Sequence, residues 1–194
     1  MTLVSTEWLN NNLSKVKIFD ASWHLPNSKR DAKKEYLEKH IPGAMFWDVD
    51  EHSDKNSSFP HMISHSNYWV KMLLSFGITN YDHIVVYDHS HLYSACRLWF
   101  ALRYFGHKKV SILNGGFQKW LKEKKPVTQK IDRIDKADSY IINENNDWIK
   151  NKKQIDENIK GNSFVLVDAR SRDRFKGKKE EPRPGLKKGC VPGS

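Results

Sequence analysis

The sequence predicts an α/β fold in which a mainly parallel, twisted sheet is flanked by helices, followed by part of a second copy. Short apolar runs typical of buried strands alternate with longer runs in which apolar residues recur at helical spacing. In addition, a strand that ends in an acid and a Pro-Gly turn each occur twice, in the same order and about 150 residues apart. A chain of 194 residues accommodates one domain and a remainder, at roughly 100–200 residues per domain.

The first part of the chain predicts three helices and two short apolar runs. They are, in order, a short helix that ends at residue 13, a strand over 16–20, a helix over 30–39, a turn over 40–43 that leads into the apolar run 44–47, and a helix over 67–76. Ser5 and Thr6 are suitable caps for the first helix, because their side-chain oxygens can accept unpaired backbone N–H groups. Gly77 is suited to end the last helix, because glycine readily adopts the left-handed conformation.

The clearest strand covers residues 83–88 and starts a second series of alternating elements. It is followed by a polar loop over 89–91, an amphipathic helix, a strand over 110–113, and a helix that begins at 117 after two glycines. The apolar stripe of the amphipathic helix consists of Leu92, Ala95, Cys96, Trp99 and Leu102. Residues 126–146 are polar and predict a linker, whereas 147–160 predict a helix and 164–168 a new buried strand.

The repeated segments define the domain organisation. Residues 18–21 (Ile-Phe-Asp-Ala) are echoed by 166–169 (Leu-Val-Asp-Ala), and residues 41–44 (Ile-Pro-Gly-Ala) by 191–194 (Val-Pro-Gly-Ser). Two matches at one spacing indicate a duplicated fold. We therefore assign residues 1–125 to a complete domain, 126–146 to a linker, and 147–194 to the opening segment of a second domain.

The composition excludes some classes of protein and leaves the meaning of the positive charge open. Hydrophobic residues make up 38% of the chain, which is enough for a core, and no apolar run is long enough to span a membrane. The net charge of +10 fits nucleic-acid binding, a general excess of surface lysine, or attraction of a small anionic substrate. Basic residues are not interleaved with aromatic residues on one helix face, so we expect no nucleic-acid partner.

The two cysteines, Cys96 and Cys190, are too few for a disulfide framework, and the first residues show no basic patch followed by an apolar segment. We therefore expect a cytoplasmic protein without a secretory signal or a membrane partner. Cys96 lies in the apolar stripe and is expected in the core, whereas Cys190 lies in a turn near two lysines and is expected to be an exposed, oxidisable thiol. Because no metal-ligand or phosphate-loop spacing occurs, we expect neither a metal ion nor a cofactor.

Short motifs along the whole chain carry a family resemblance. In the first copy they are Val4–Leu9, Phe19–Trp23, His40–Ala44, Phe46–Asp50, Pro60–Met62, Tyr68, Val86–Asp88, Leu92–Ala95, Arg97–Trp99, Phe105–His107 and Leu113–Gly116. In the second copy they are Val167–Arg170, Arg174, Phe175, Gly177 and Glu181–Arg183. Together they resemble the tandem-rhodanese sulfurtransferases, in the 3-mercaptopyruvate/thiosulfate sulfurtransferase branch. The resemblance implies a rhodanese-like first domain, which is non-catalytic in this family, and the start of a catalytic second one.

The resemblance also implies a reaction. In the family, a cysteine thiolate takes the outer sulfur of 3-mercaptopyruvate or thiosulfate, becomes a persulfide, and passes the sulfur to cyanide, a thiol or a thioredoxin. This cysteine follows a strand of the second domain and stands at the head of a helix, where backbone N–H groups lower its pKa and hold anions. Asp88 has the equivalent position in the first copy, where we expect a structural acid. The repeat spacing puts the nucleophile about 235–240 residues along, beyond Ser194, so we expect this chain to be inactive or nearly so.

Four substrate-binding residues follow from the same resemblance: Arg174, Arg183, Asp50 and His61. The family's second domain holds the carboxylate and carbonyl of mercaptopyruvate with two arginines nine residues apart, the spacing of Arg174 and Arg183. Its first domain contributes an Asp and a His eleven residues apart, which Asp50 and His61 match. On the residue pattern alone, the arginines belong to a solvated charge run and His61 to the surface or the core.

Three functions remain open at this point. The first is the N-terminal part of a sulfurtransferase, with a small anionic sulfur donor and a thiol, cyanide or thioredoxin-type acceptor as partners. The second is a non-catalytic rhodanese-homology module whose Asp88 loop binds a partner or nothing. The third is nucleic-acid binding through net charge, which predicts a steep salt dependence. Because the strand at 164–168 cannot complete a sheet, we expect the tail to pack against the first domain or to mediate self-association.

Overall fold

The computed structural model describes residues 2–182 and 185–194. The chain forms two compact units, one up to Asn146 and one from Asp147 to Ser194. The strands are β1 (Leu3–Val4), β2 (Lys17–Asp20), β3 (Ala44–Phe46), β4 (Ile84–Tyr87) and β5 (Val110–Leu113). The α-helices are α1 (Thr6–Asn10), α2 (Ala32–Glu38), α3 (Ser66–Ser75), α4 (Ala95–Tyr104), α5 (Gly116–Lys122), α6 (Lys152–Gly161) and α7 (Arg172–Phe175). Short 3₁₀ helices cover Leu13–Lys15, Pro26–Ser28 and Asn146–Trp148.

The first unit contains a five-stranded, fully parallel sheet in the order β1-β5-β4-β2-β3. This confirms the α/β fold with a parallel sheet and flanking helices that the alternating pattern predicts. The central strand β4 is buried at every position, because β2 and β5 pair with its edges and helices cover its faces. In a parallel sheet the carboxyl ends of all strands meet at one edge, so the loops that follow β2, β3 and β4 lie together.

Two hydrophobic clusters cover the two faces of the sheet. Adjacent residues of β2 and β4 belong to different clusters, as the two-residue period of a strand requires: Phe19 and Val86 face one cluster, Ile18 and Val85 the other. The first cluster also contains Trp69, Leu98 and Phe105, and the second contains Leu9, Phe117 and Trp120. Full burial of one such side chain contributes roughly 1.5–3 kcal/mol.

Residues 126–146, which the sequence predicts as a linker, lie along the first unit. Thr128 and His40 exchange backbone hydrogen bonds of 2.9 and 3.0 Å, and the backbone N–H of Asn143 donates to Phe105 at 3.2 Å. Tyr140 is buried, and its hydroxyl donates to Nδ1 of His107 at 2.7 Å. The segment contains no helix or strand over 126–145, but these contacts attach it firmly to the first unit.

The predicted strand at 164–168 is wrong. These residues form no strand, and the side chains of Val165 and Val167 are 88% and 76% exposed. A strand needs the N–H and C=O groups of a neighbouring strand, and none of the described residues of the second unit provides them. The helix predicted over 147–160 begins only at Lys152, because Asn151 and Gln154 form a reciprocal capping box at that point.

Two further boundaries differ by three residues from the predicted ones. The first helix ends at Asn10 rather than at residue 13, and a separate 3₁₀ turn follows it. Helix α4 begins at Ala95, so Leu92 is outside it and exposed. Its buried stripe consists of Ala95, Leu98, Ala101, Leu102 and Tyr104.

Cys96 is exposed, which corrects the prediction that it is a core residue. It directly follows Ala95, and successive helical residues point about 100° apart. The spacing of the stripe is therefore helical as predicted, but Cys96 does not belong to it.

None of the described helices is long and apolar enough to cross a membrane.

Candidate functional site

The candidate site lies at the carboxyl edge of the parallel sheet in the first unit. Three loops meet there: the segment after β2, the segment after β3, and the loop between β4 and α4. They carry Trp23, Asp50 and Asp88 respectively. Open α/β sheets bind ligands in this region because loops from neighbouring strands converge on it.

The carboxylate and the backbone carbonyl of Asp88 both have hydrogen-bond partners in neighbouring elements. Its Oδ2 accepts the backbone N–H of Ala95 at 2.8 Å and lies 3.4 Å from the hydroxyl of Ser94, while its carbonyl accepts the N–H of Phe117 at 2.8 Å. Burial raises the pKa of Asp88, and the hydrogen bonds from Ala95, Ser94 and Ser90 oppose this shift. The carboxylate thus accepts the N–H of Ala95 at the head of α4, a place where backbone N–H groups favour an anion.

Gly116 allows a close approach to the Asp88 loop. Its φ is +57°, and a Cβ atom at this position would lie 2.7 Å from the carbonyl oxygen of Asp88. A larger residue would therefore displace the Asp88 backbone.

Asp50 and His61, which the family resemblance assigns to substrate binding, are in direct contact. Oδ1 of Asp50 lies 2.8 Å from Nε2 of His61, and the Asp50 side chain is 63% exposed whereas that of His61 is 23% exposed. The imidazole therefore has one nitrogen engaged by a carboxylate, the arrangement that fixes which ring nitrogen carries the proton. The structure thus brings these two predicted residues together, and their role in substrate binding stays a prediction.

Two side chains that the sequence analysis left without a role support this pair. The indole N–H of Trp23 donates to Oδ2 of Asp50 at 2.8 Å, and its ring meets that of His61 edge-on, with centroids 5.0 Å apart. Arg97 of α4 donates to the carbonyl oxygen of His61, whose φ of +59° lies in the left-handed region. Burial lowers the pKa of Arg97. The spacing of Trp23 after β2 was the available signal, because the residues after neighbouring parallel strands converge.

A second cluster at the same edge also escaped the sequence analysis. Glu35 of α2 binds Arg30 through two hydrogen bonds of 2.7 and 2.6 Å, and its Oε2 lies 3.2 Å from His24 and 3.6 Å from His89. The Arg30 guanidinium is the main cause that lowers the pKa of Glu35. Burial is the main cause that lowers the pKa of His89. Because the four groups belong to three segments, residues 30–39 alone showed only a charged helix.

Asp20, at the end of β2, is a buried acid next to this cluster. It accepts the backbone N–H and the hydroxyl of Ser22 at 2.9 and 2.5 Å, and the same hydroxyl accepts the N–H of His89 at 2.8 Å. Burial raises the pKa of Asp20 to about 6, against the effect of the Ser22 hydrogen bonds. Asp20 therefore connects the loops after β2 and β4.

The second unit contains an ion-pair network around Glu181. Glu181 is almost buried and binds Arg174 at 2.5 Å and Arg170 at 2.8 Å, and Arg170 also binds Asp168 at 2.5 Å. The hydrogen bonds from Arg170 lower the pKa of Asp168 to about 2. Arg174 therefore already has a carboxylate partner, while Arg183 lies outside the described residues, so the predicted arginine pair is placed only in part.

Neither cysteine directly follows a described strand, which is the position of the nucleophile that the family resemblance implies; after β4 this position is held by Asp88. Cys96 is the second residue of α4, and its pKa is raised by partial desolvation and by the charge of Asp88. Cys190 is exposed and lies in an irregular segment, next to Gly189, whose carbonyl accepts a hydrogen bond from Arg170 at 2.6 Å. Among the described residues, no group of three or more His, Cys, Asp or Glu side chains could hold a metal ion.

Comparison with known proteins identifies the structural family of the chain. The family described as "Rhodanese-like domain" matches residues 5–123, the part of the chain that forms the parallel sheet. The solved structure of SseA from Escherichia coli, described as a 3-mercaptopyruvate sulfotransferase with the rhodanese fold, superposes with a TM-score of 0.87 at 29% identity. It is covered over 73% of its length, and this chain over 100%. The fold is therefore that of the rhodaneses.

Curated relatives then specify the branch. The chain is 39% identical to mouse 3-mercaptopyruvate sulfurtransferase and 41% identical to bovine thiosulfate sulfurtransferase. Each alignment covers 99% of this chain and 67% of the relative, so the chain spans about two thirds of their length. The chain belongs to the rhodanese family, in its 3-mercaptopyruvate/thiosulfate sulfurtransferase branch, and is a sulfurtransferase by family.

Proposed function

We propose that this chain forms the donor-binding, N-terminal part of a sulfurtransferase that uses 3-mercaptopyruvate or thiosulfate. Both activities occur among the names of relatives that match almost the whole chain. The observation that carries the proposal is the Asp50–His61 contact at the carboxyl edge of the sheet, since the pair lies where this fold binds ligands. In this reaction a cysteine thiolate attacks the outer sulfur of the donor and becomes a persulfide, while the C–S bond of 3-mercaptopyruvate or the S–S bond of thiosulfate breaks and releases pyruvate, as an enolate that takes up a proton, or sulfite. The outer sulfur of the persulfide then passes to cyanide, a thiol or a thioredoxin-type acceptor, and the cysteine leaves as a thiolate.

The chain itself transfers sulfur slowly or not at all under this proposal. Only a thiolate attacks the outer sulfur of the donor, and partial desolvation and Asp88 disfavour the thiolate of Cys96. Cys190 lies in an irregular segment, and none of the described residues directly before it forms a strand. The position after β4 carries Asp88, whose oxygens already accept hydrogen bonds.

The charge distribution supports a small anionic donor more than a nucleic acid. The net charge is +10, yet several cations of the described surface are paired with acids, among them Arg30, Arg170 and Arg174. Two cations contact the backbone of the Asp50–His61 pair: Arg97 donates to the carbonyl oxygen of His61, and Lys55 donates to that of Asp50 at 2.5 Å. A donor carboxylate or sulfonate-type oxygen needs only one or two such groups.

Incubation of the chain with 3-mercaptopyruvate or thiosulfate, followed by cyanide, tests the expected lack of turnover. We expect thiocyanate at the level of the protein-free control, unchanged in Cys190→Ser and in the matched Cys96→Ser. Intact mass spectrometry should show no added sulfur atom after incubation with the donor. Appreciable thiocyanate that disappears in Cys190→Ser but not in Cys96→Ser would make Cys190 the nucleophile and refute this part of the proposal.

A non-catalytic binding module is the second candidate, and the Asp88 loop favours it. The loop between β4 and α4 exposes Leu92 and Tyr93, which are 46% and 75% exposed, and Tyr93 has a φ of +54°. A module of this kind would not recognise the donors. Calorimetric titration with 3-mercaptopyruvate and with thiosulfate separates the two candidates, because saturable binding supports the sulfurtransferase and a flat titration supports the module.

A further inference from the structure

Both oxygens of Asp50 are engaged, each by a different residue of the first unit. Oδ1 meets Nε2 of His61 at 2.8 Å, and Oδ2 accepts the indole N–H of Trp23, also at 2.8 Å. An exposed aspartate ordinarily samples several rotamers in water. Here the indole holds the carboxylate in one orientation, and this orientation presents Oδ1 to the imidazole.

This arrangement selects one form of the neutral His61 ring. A carboxylate only accepts hydrogen bonds, so the Nε2 atom at 2.8 Å carries the proton and Nδ1 keeps its lone pair. Trp23 and Arg97 do not themselves select one of the two nitrogens, since Trp23 meets the imidazole edge-on and Arg97 donates to the carbonyl oxygen of His61. The tautomer therefore reports directly on the orientation of Asp50.

The backbone of Trp23 is fixed by the loop that carries Asp88. The N–H of Trp23 donates to Oγ of Ser94 at 3.2 Å, and that hydroxyl lies 3.4 Å from Oδ2 of Asp88. The same Oδ2 accepts the N–H of Ala95 at 2.8 Å, at the first residue of α4. A continuous series of contacts thus leads from the head of α4 through Ser94 and Trp23 to Asp50 and His61.

We propose that Trp23 is a positioning residue that holds the Asp50–His61 pair in its donor-binding form, and that the Asp88 loop anchors Trp23 through Ser94. This inference rests on the proposed function only in that the Asp50–His61 pair is taken to bind the donor. The loop after β4 contributes by fixing Trp23, which lies in the loop after β2. The ring of Trp23 adds an edge-on contact to His61, which restricts the imidazole on the side facing the indole.

Nitrogen NMR of the whole chain tests this proposal without any substrate. In the wild type, at a pH where His61 is neutral, we expect a protonated Nε2 and an unprotonated Nδ1 with well-separated ¹⁵N shifts. Trp23→Phe keeps an aromatic ring but removes the donor, so we expect the two shifts to move towards each other as the tautomers mix. Trp8→Phe is the matched control, because Trp8 packs near His83 at the opposite edge of the sheet and should leave His61 unchanged. Unchanged His61 shifts in a folded Trp23→Phe chain would overturn the proposal.

Two further variants keep the test decisive if Trp23→Phe fails to fold. Asp50→Ala removes an exposed side chain, and we expect faster exchange of the Trp23 indole proton because its acceptor is lost. An unchanged exchange rate would refute the Trp23–Asp50 contact. Ser94→Ala should mix the His61 tautomers to a smaller extent, and a wild-type tautomer there would refute the anchoring by the Asp88 loop. A donor titration can fail while these spectra behave as expected, so the two proposals fail separately.

Discussion

The carboxylate of Asp88 accepts a hydrogen bond of 2.8 Å from the backbone N–H of Ala95, the first residue of α4. This N–H has no partner within the helix. The loop after β4 therefore uses its own acid where a nucleophilic loop would present N–H groups to a thiolate or an anion. This relationship agrees with a structural role for Asp88, which stays a prediction until the loop is altered.

Replacement of Asp88 with alanine should destabilise the first unit. The variant Asp88→Ala loses the acceptor for Ala95, and loss of a helix-capping acceptor costs about 1 kcal/mol. Asp88→Asn should cost less, because an amide oxygen still accepts the N–H and no buried charge remains. Urea unfolding followed by tryptophan fluorescence measures both, with the exposed Asp138→Ala as control. Equal stability of Asp88→Ala and the control would exclude the structural role.

The reactivity of Cys96 should depend on Asp88. The pKa of Cys96 is raised first by desolvation and second by the charge of Asp88. Asp88→Asn removes only the second cause, so alkylation of Cys96 by iodoacetamide should accelerate, because a larger fraction of the thiol is ionised at the same pH. Peptide mass spectrometry measures the rate, and Cys190 in the same sample is the internal control. A slower reaction at Cys96 would contradict the electrostatic explanation.

The stability of the first unit should fall as the pH rises through the titration of Asp20. Burial raises the pKa of Asp20 from 3.8 to about 6, so in this window the folded state binds a proton that the unfolded state releases. The free energy of unfolding then decreases with rising pH, by up to about 3 kcal/mol at 1.36 kcal/mol per unit. Asp20→Asn should lose less stability over the same window, as measured by urea unfolding. A parallel pH dependence of Asp20→Asn and wild type would refute this, with Asp138→Asn as the surface control.

The close contact between Gly106 and residues 126–146 should make Gly106→Ala more destabilising than Gly43→Ala. Both Gly106 and Gly43 have positive φ, +86° and +78°. A Cβ at Gly106 would lie 2.7 Å from the carbonyl of Asn143, whereas one at Gly43 meets nothing within 4 Å. Gly43→Ala should cost about 1–2 kcal/mol from backbone strain alone, and Gly106→Ala should cost more. Equal losses of stability for the two variants in thermal unfolding would show that residues 126–146 move away from the new methyl group at no cost, and would contradict this prediction.

The parallel sheet was predictable because buried strands and amphipathic helices leave periodic patterns that survive tertiary packing. The strands around Phe19, Val86 and Ile112 appear where the apolar runs predict them. The strand at 164–168 was not formed, because an apolar run specifies a strand only where a partner strand exists. Cys96 was misplaced because one residue along a helix rotates the side chain by about 100°.

The candidate site was predictable only in part. Asp50 and His61 were found through the family resemblance, and their contact follows from loops that no local pattern describes. Trp23 and Glu35 were missed because their partners are distant in sequence: Asp50 is 27 residues from Trp23, and His89 belongs to the loop after β4. Such contacts depend on strand order, which periodicity does not determine.

Residue-resolved titration with 3-mercaptopyruvate shows whether the Asp50–His61 pair binds the sulfur donor. We propose that it does, and that no thiol among the described residues is placed to take the sulfur. We predict saturable shifts of the His61 and Trp23 side-chain signals, abolished in His61→Ala and retained in the control Trp8→Phe, with no persulfide formed. Signals of His61 and Trp23 that do not move at any donor concentration would contradict the account.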